Sequence, residues 1–209
     1  MVLQNAIWDF DGTLADTYPG ILASLQKTLQ DFNYPIQDAS ELYRFIKLHS
    51  VKEYWHQLVP DENYEKIYQY FQQVDHQMQK QISLLPHAQM TLQKIVDHGG
   101  HNYLWTHRDN LVWQLLDQNN IGQYFEDVIT SQDEFARKPD PAAINSLVAK
   151  HNLLLVQTAM IGDRSLDIQA GQNANVQTIY YDVDQFHDDH QASYIVQDLQ
   201  EIVTLFEKD

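Results

Sequence analysis

The stretch Asp9-Phe10-Asp11-Gly12-Thr13-Leu14 follows the apolar run Ala6-Ile7-Trp8. Residues i and i+2 of an extended chain point to the same side, so a strand that runs on through Phe10 delivers Asp9 and Asp11 to one spot. Carboxylates held that close do not both ionise freely unless a cation or a shared proton compensates. The hexapeptide is therefore either a surface strand end with two solvated acids, or half of a site that handles positive charge. Gly12 supplies a turn conformation closed to most other residues. The rest of the chain decides between the two readings.

Downstream the sequence reads as helix. Ile21, Leu22, Leu25, Leu29 and Phe32 recur at helical spacing over 18–32, and Pro35 ends that segment. Asp38-Ala39-Ser40-Glu41 has the form of a capping box opening a short helix to residue 48. A second short helix spans 51–59, and Tyr64, Ile67, Tyr68, Phe71, Val74 and Met78 mark one face of a long helix over 61–82. The aromatic residues Tyr54, Trp55, Tyr64 and Tyr68 read as core of this segment, and no strand is predicted between 15 and 82.

From Leu84 the pattern changes to helices alternating with short apolar strands, the sequence form of a parallel α/β sheet. A helix over 87–98 ends at Gly99-Gly100, strand 103–105 ends at Thr106, and a helix covers 109–118. Strand 127–130 leads to Lys138-Pro139, with Asp140 as N-cap and Pro141 in the first turn of the next helix. Strand 158–161 ends at Gly162-Asp163; helix 165–172, strand 177–180, the run 194–196 and a last helix to Phe206 complete the chain. This is one α/β domain made of residues 1–14 and 83–209, with a helical domain, residues 15–82, inserted directly after the first strand. An insertion there would lie over the carboxyl ends of the strands, where open α/β sheets bind ligands.

Composition narrows the function. The chain has 209 residues, room for one large domain with an insertion, and a net charge of −16, which argues against nucleic acid and anionic membranes as partners. It has no cysteine, so any metal must be held by oxygen or imidazole. The sequence shows neither a signal peptide nor a transmembrane run, and a cytoplasmic protein, monomer or homodimer, is expected.

The strand ends share a chemistry. Asp9 and Asp11 end the first strand, Thr106 the second, Lys138 follows the third, and Asp163 ends the fourth with Asp167 one helical turn on. A hydroxyl, an ammonium and several carboxylates at one crevice suit an oxygen-coordinated magnesium ion handling a phosphoryl group. On these residues the sequence resembles the haloacid dehalogenase (HAD) superfamily, in its subgroup with a helical cap after the first strand. Asp9-Phe10-Asp11-Gly12-Thr13-Leu14 is similar to the first motif and Leu104-Trp105-Thr106 to the second. Lys138-Pro139-Asp140-Pro141 corresponds to the third, and Ile161-Gly162-Asp163-Arg164-Ser165-Leu166-Asp167 to the fourth.

The resemblance implies a Rossmann-like α/β core with a parallel sheet and a small all-helical cap. It further implies a Mg²⁺-dependent phosphatase acting on a small phosphorylated metabolite through an aspartyl-phosphate, phosphoglycolate phosphatase-like. By similarity Asp9 is the nucleophile and Asp11 the general acid/base; Thr106 and Lys138, with Gly12 and His107, bind phosphate; and Asp9, Asp11 (through its carbonyl), Asp163 and Asp167 serve the metal. A phosphomutase of the β-phosphoglucomutase type shares these motifs, and a non-catalytic phosphate-ester sensor would share the pocket. A dehalogenase needs neither Asp11 nor a metal.

Some positions depart from the family pattern: His87 and Asn175 stand where glycine is frequent, and His107 where Asn is common. Arg44, Lys47 and His49 form a basic cluster on the second inserted helix, either specificity contacts or a solvated face. The run His187-Asp188-Asp189-His190 reads as solvated loop.

Overall fold

In a computed structural model, residues 2–207 are described and the chain divides into two compact units, Met1–Asp16 with Ser83–Asp209, and Thr17–Ile82. The division falls two residues later than the 14/15 boundary drawn from the pattern. Backbone pairing explains the difference: Ala15 bridges Leu84 antiparallel, Asp16 N–H donates to the Ser83 carbonyl at 2.9 Å and Leu85 N–H to Leu14 at 2.9 Å.

The larger unit holds a six-stranded, all-parallel sheet of β1 (Asn5–Trp8), β2 (His101–Trp105), β3 (Phe125–Ile129), β4 (Thr158–Gly162), β5 (Gln177–Tyr181) and β6 (Tyr194–Val196), in the order β3-β2-β1-β4-β5-β6. Strand β1 is paired on both edges, by β2 and β4, and all four of its residues are buried, so Ala6-Ile7-Trp8 reads as a continuous apolar run rather than alternating. On one face Ile7, Tyr103, Trp105 and Met160 pack with Ala143, Ile144 and Leu147 of the helix Ala142–His151, and with Ala170 of the helix Ser165–Asn173. Inside the sheet Trp8 Nε1–H donates to Asn102 Oδ1 at 2.9 Å, which satisfies a buried indole. The strand order reverses direction between β1 and β4, and their carboxyl ends carry Asp9 and Asp163.

The smaller unit consists of α1 (Tyr18–Asp31), α2 (Ala39–Leu48), α3 (Val51–Leu58) and α4 (Asp61–Met78). Its core gathers Leu25, Leu29, Leu42, Ile46, Tyr54, Trp55, Ile67 and Phe71, with Tyr64 and Tyr68 packed against it, so the aromatic residues are core as the spacing predicts. Asp38 caps α2 by accepting from the amides of Ser40 and Glu41.

Three elements differ from the pattern reading. Helix α4 stops at Met78 instead of 82, where the Gln79 amide reaches back to Asp75 Oδ1 and the chain turns toward Ser83. The last segment, Leu199–Leu205, is a 3-10 helix: Leu199, Ile202 and Leu205 recur every three residues, which suits three residues per turn. Pro141 occupies the N-cap position predicted for Asp140, although the Asp140 carboxylate still accepts from Ala142 N–H at 2.8 Å. His87 (φ 65°) and Asn175 (φ 58°) are both left-handed, which accounts for glycine at those positions in the family pattern. His87 is tied to Asp198 at 2.7 Å.

Candidate active site

The site grows from the carboxyl ends of adjacent parallel strands. Asp9 follows β1 and stays in register, its N–H donating to Ile161 O at 2.8 Å; Thr106 follows β2, its N–H donating to Ile129 O at 2.9 Å. Asp163 follows β4, and Asp167 stands in the first turn of the helix Ser165–Asn173. Lys138 enters from the loop after β3 and is almost wholly buried. Its Nζ lies 2.5 Å from Asp9 Oδ1 and 2.8 Å from Asp167 Oδ1, and 4.9 Å from the centre of the Trp105 ring. The side chain of Asp9 keeps 13% of its surface open, against 3% for Asp167. Asp9 is thus the carboxylate of this pair that a small molecule can reach.

Burial dominates the electrostatics. It pushes the Asp9 carboxyl up to about 8; Lys138 pulls the other way, and the charges of Asp167, Asp163 and Asp11 add to the rise. Asp167 is raised for the same reason, burial first, with Lys138 opposing and Asp163 reinforcing. Burial alone would lower Lys138, but Asp167 and Asp9 more than offset it and hold the ammonium above the ordinary lysine value. One lysine therefore leaves this carboxylate cluster short of positive charge. The shortfall, with an all-oxygen donor set, is what a hard divalent cation would fill. Asp9, Asp163 and Asp167 each place an oxygen within 4.8 Å of the others, so the three fit such an ion. Asp167 is also engaged at both oxygens, with Lys138 at Oδ1 and with Arg164 N–H at Oδ2 (3.2 Å), which makes it the support of the lysine. Thr13 Oγ1–H donates to Asp163 Oδ1 at 3.0 Å and fixes that carboxylate's rotation.

Asp11 is held by a residue that the pattern reading did not single out. Arg108 directs Nε–H and Nη2–H onto the same Asp11 oxygen, Oδ1, at 2.7 and 2.5 Å, with its guanidinium carbon 5.8 Å from the centre of the Phe10 ring. The available signal was a cation two residues beyond Thr106 in an acidic chain. Arg108 N–H also donates to Thr106 Oγ1 at 3.1 Å, so the buried hydroxyl uses a lone pair there and keeps its own proton for another acceptor.

Two expected phosphate contacts are engaged elsewhere. Gly12 (φ 77°) donates its N–H to Ala15 O at 2.8 Å, closing the turn that Ala15 N–H to Phe10 O (3.0 Å) also braces. His107 Nε2 accepts the Lys138 backbone N–H at 3.1 Å, and Nδ1 lies 3.0 Å from Arg137 Nη2. Burial, then Lys138, Arg137 and Arg164, pushes His107 down to about 2, so the ring is neutral and positions the Lys138 loop.

In the smaller unit Lys47 is buried, its Nζ 4.7 Å from the Tyr18 ring centre and 6.0 Å from that of Tyr43. Arg44 and His49 are exposed, and His49 Nδ1 lies 3.7 Å from Glu53 Oε1. The basic cluster thus separates into one packed residue and two on the surface. The run from His187 to His190 is loop; His187 N–H faces the Asp182 carboxylate and Asp188 pairs with His190 at 3.3 Å. No helix among the described residues is long and apolar enough to cross a membrane.

Known proteins resemble the chain over most of its length. The profile of the haloacid dehalogenase-like hydrolases matches residues 6–181. The chain is 28% identical over 181 residues to the phosphoglycolate phosphatase of Aliivibrio fischeri, covering 80% of this chain and 78% of that protein. It is 25% identical over 217 residues to the pyrophosphatase PpaX of Oceanobacillus iheyensis, covering 98% and 97%. Among solved structures, a hydrolase from Streptococcus pneumoniae TIGR4 is 30% identical with a TM-score of 0.64, covering 85% of this chain and 92% of that one. The chain belongs to the haloacid dehalogenase-like hydrolase family.

Proposed function

We propose that the chain is a Mg²⁺-dependent phosphatase that hydrolyses a small phosphorylated metabolite through an aspartyl-phosphate on Asp9, with a phosphoglycolate-like ester as the model substrate. The observation that carries this reading is the ammonium of Lys138 bridging Asp9 and Asp167 while Asp163 places an oxygen in the same cluster. The names of the phosphoglycolate phosphatase and pyrophosphatase relatives support it.

The geometry supports the following division of labour. Asp9, the more open carboxylate of the Lys138 pair, attacks phosphorus; the new bond is Asp9 oxygen to phosphorus, and the ester oxygen leaves with the electron pair. Asp11, two residues on, donates a proton to that oxygen, then takes one from the water that hydrolyses the acyl-phosphate. Thr106 donates its hydroxyl proton and Lys138 its ammonium protons to phosphoryl oxygens, placed before charge builds there. Asp167 and His107 hold Lys138 in position from its two ends, side chain and backbone. Asp9, Asp163 and the Asp11 carbonyl would hold Mg²⁺, which when bound supplies charge neutralisation for the phosphoryl group and keeps Asp9 ionised despite its burial.

The test is phosphate release from an aryl phosphate and a panel of phosphorylated sugars and organic acids, with Mg²⁺ and with EDTA. Metal-dependent turnover that Asp9→Asn abolishes is expected. Turnover that is independent of metal, or undiminished in Asp9→Asn, overturns the proposal, and an isomerised sugar phosphate in place of free phosphate would make the protein a mutase.

A further inference from the structure

Arg108 does more than the proposed chemistry requires. Its side chain is only 11% exposed, it lies beside the Phe10 ring, and its fork spends two N–H groups on a single oxygen of Asp11, whose side chain is 29% exposed. A guanidinium fork matches two oxygens of one carboxylate or phosphate, whereas here Nε–H and Nη2–H converge on one oxygen. Asp11, as acid/base, must touch the leaving oxygen, and whatever that oxygen is attached to then lies against Arg108. An anionic leaving group arriving there would meet Asp11, and beyond it Asp9 and Asp163, in a chain of net charge −16. Of the other cations near these loops, Lys138 is committed to Asp9 and Asp167, exposed Arg137 lies beside His107, and Arg164 stands at the helix N-cap by Asp167 and acts on Asp167 and His107.

We propose that Arg108 is the specificity residue for the leaving group: it exchanges Asp11 for an anionic group, carboxylate or phosphate, carried by the substrate close to the ester oxygen. This rests on the phosphatase reading above. Substrate binding moves the fork from one oxygen to two and leaves both Asp11 oxygens to the leaving oxygen and the water. Esters with a neutral leaving group leave Arg108 on Asp11 and are poorer substrates.

The probes are 2-phosphoglycolate and ethyl phosphate, which differ by a carboxylate in place of a methyl, with pyrophosphate beside them to separate a carboxylate from a phosphate partner. The readout is the ratio of kcat/KM between an anionic ester and ethyl phosphate. The wild type should favour at least one anionic ester, and Arg108→Met should collapse that preference by roughly 10- to 100-fold, the worth of one charge-assisted hydrogen bond. The loss should appear mainly in KM for the anionic ester, with Arg108→Lys recovering part of it. Arg108→Lys keeps the charge and reports on the proposal even if Arg108→Met folds poorly. If Arg108→Met slows all esters by one factor, or the wild type has no preference for an anionic leaving group, Arg108 serves Asp11 alone and the inference falls while the phosphatase reading stands. If the wild type releases no phosphate from any ester, aryl phosphate included, both fall.

Discussion

Replacing Lys138 by Met keeps the stem over Trp105 and removes the ammonium that faces Asp9 Oδ1 at 2.5 Å and Asp167 Oδ1 at 2.8 Å. The cost depends on pH, and its sign follows from the shifts. In the metal-free wild type Asp9 is raised to about 8, so the stability linked to its protonated form is complete below the ordinary carboxylate range and is lost as pH rises through about 8. Lys138 lowers the proton affinity of both Asp9 and Asp167, so its removal raises both further and the variant loses stability more steeply on going alkaline. At pH 8.5 the variant must either hold buried carboxylate charge with no partner or take up protons against the solution, a loss of ~3–5 kcal/mol. At pH 5.5 Asp9 escapes by protonation, and the loss falls to about 1–2 kcal/mol of hydrogen bonding. At roughly 2–4 °C per kcal/mol the melting temperature should drop by about 6–20 °C at pH 8.5 and about 2–8 °C at pH 5.5. The assay is thermal unfolding in EDTA followed by tryptophan fluorescence, since Trp8, Trp105 and Trp113 belong to the α/β unit. A drop that is equal at the two pH values, or larger at pH 5.5, would refute the reasoning that Lys138 is the charge partner of buried carboxylates.

Other substitutions probe the remaining parts. Mg²⁺ at about 100 times its dissociation constant should stabilise the protein by ~2.7 kcal/mol, read as a rise in melting temperature, and Asp163→Asn should remove most of that rise. Gly162→Ala should cost at least tenfold in turnover, because a β-carbon there would lie 2.2 Å from Asp167 Cγ and push aside the support of Lys138; unchanged kcat/KM would contradict it. Asp11→Asn should lower kcat by roughly 10²- to 10⁴-fold, the usual worth of a general acid/base, with the acyl-phosphate trapped by rapid quench. Lys47→Met should lower stability by about 0.5–2 kcal/mol through loss of the contact with the Tyr18 ring, measured by thermal unfolding.

The parallel sheet was legible because β1, β2, β4 and β5 are largely buried and write themselves as mainly apolar runs, each followed by a polar residue: Asp9, Thr106, Asp163 and Asp182. The ends of elements were less so: the sequence from Gln79 to Ile82 continues a helical composition, and only the bridge of Ala15 with Leu84 makes the chain leave the helix. Asp9, Lys138, Asp163 and Asp167, picked out by order and type alone, do lie together in the fold. Arg108 could not be picked out that way, since its role is set by a pairing across 97 positions with Asp11, and no local spacing encodes that. His107 showed the opposite limit. An imidazole after a strand-end hydroxyl suggests a substrate contact, whereas the fold closes the Lys138 loop onto it and surrounds it with cations.

The site's charge arrangement gives a reason for two different cations. In the proposed mechanism Asp9 must be ionised in a buried place to act as nucleophile, which calls for a fixed positive neighbour; Lys138, itself pinned by Asp167 and by His107 at its backbone, is held from both ends. Asp11, the acid/base of the proposed mechanism, must be open to the leaving oxygen and then to water, and a cation fixed on it would occupy it throughout the cycle. Arg108 is anchored differently: its side chain pairs with Asp11 and stacks near Phe10, and its backbone amide is tied to Thr106. A planar fork so placed can pass from Asp11 to an arriving anion without moving the backbone that holds Thr106. The rigid lysine and the exchangeable arginine thus suit the two carboxylates that follow β1, in the proposed mechanism a nucleophile and an acid/base.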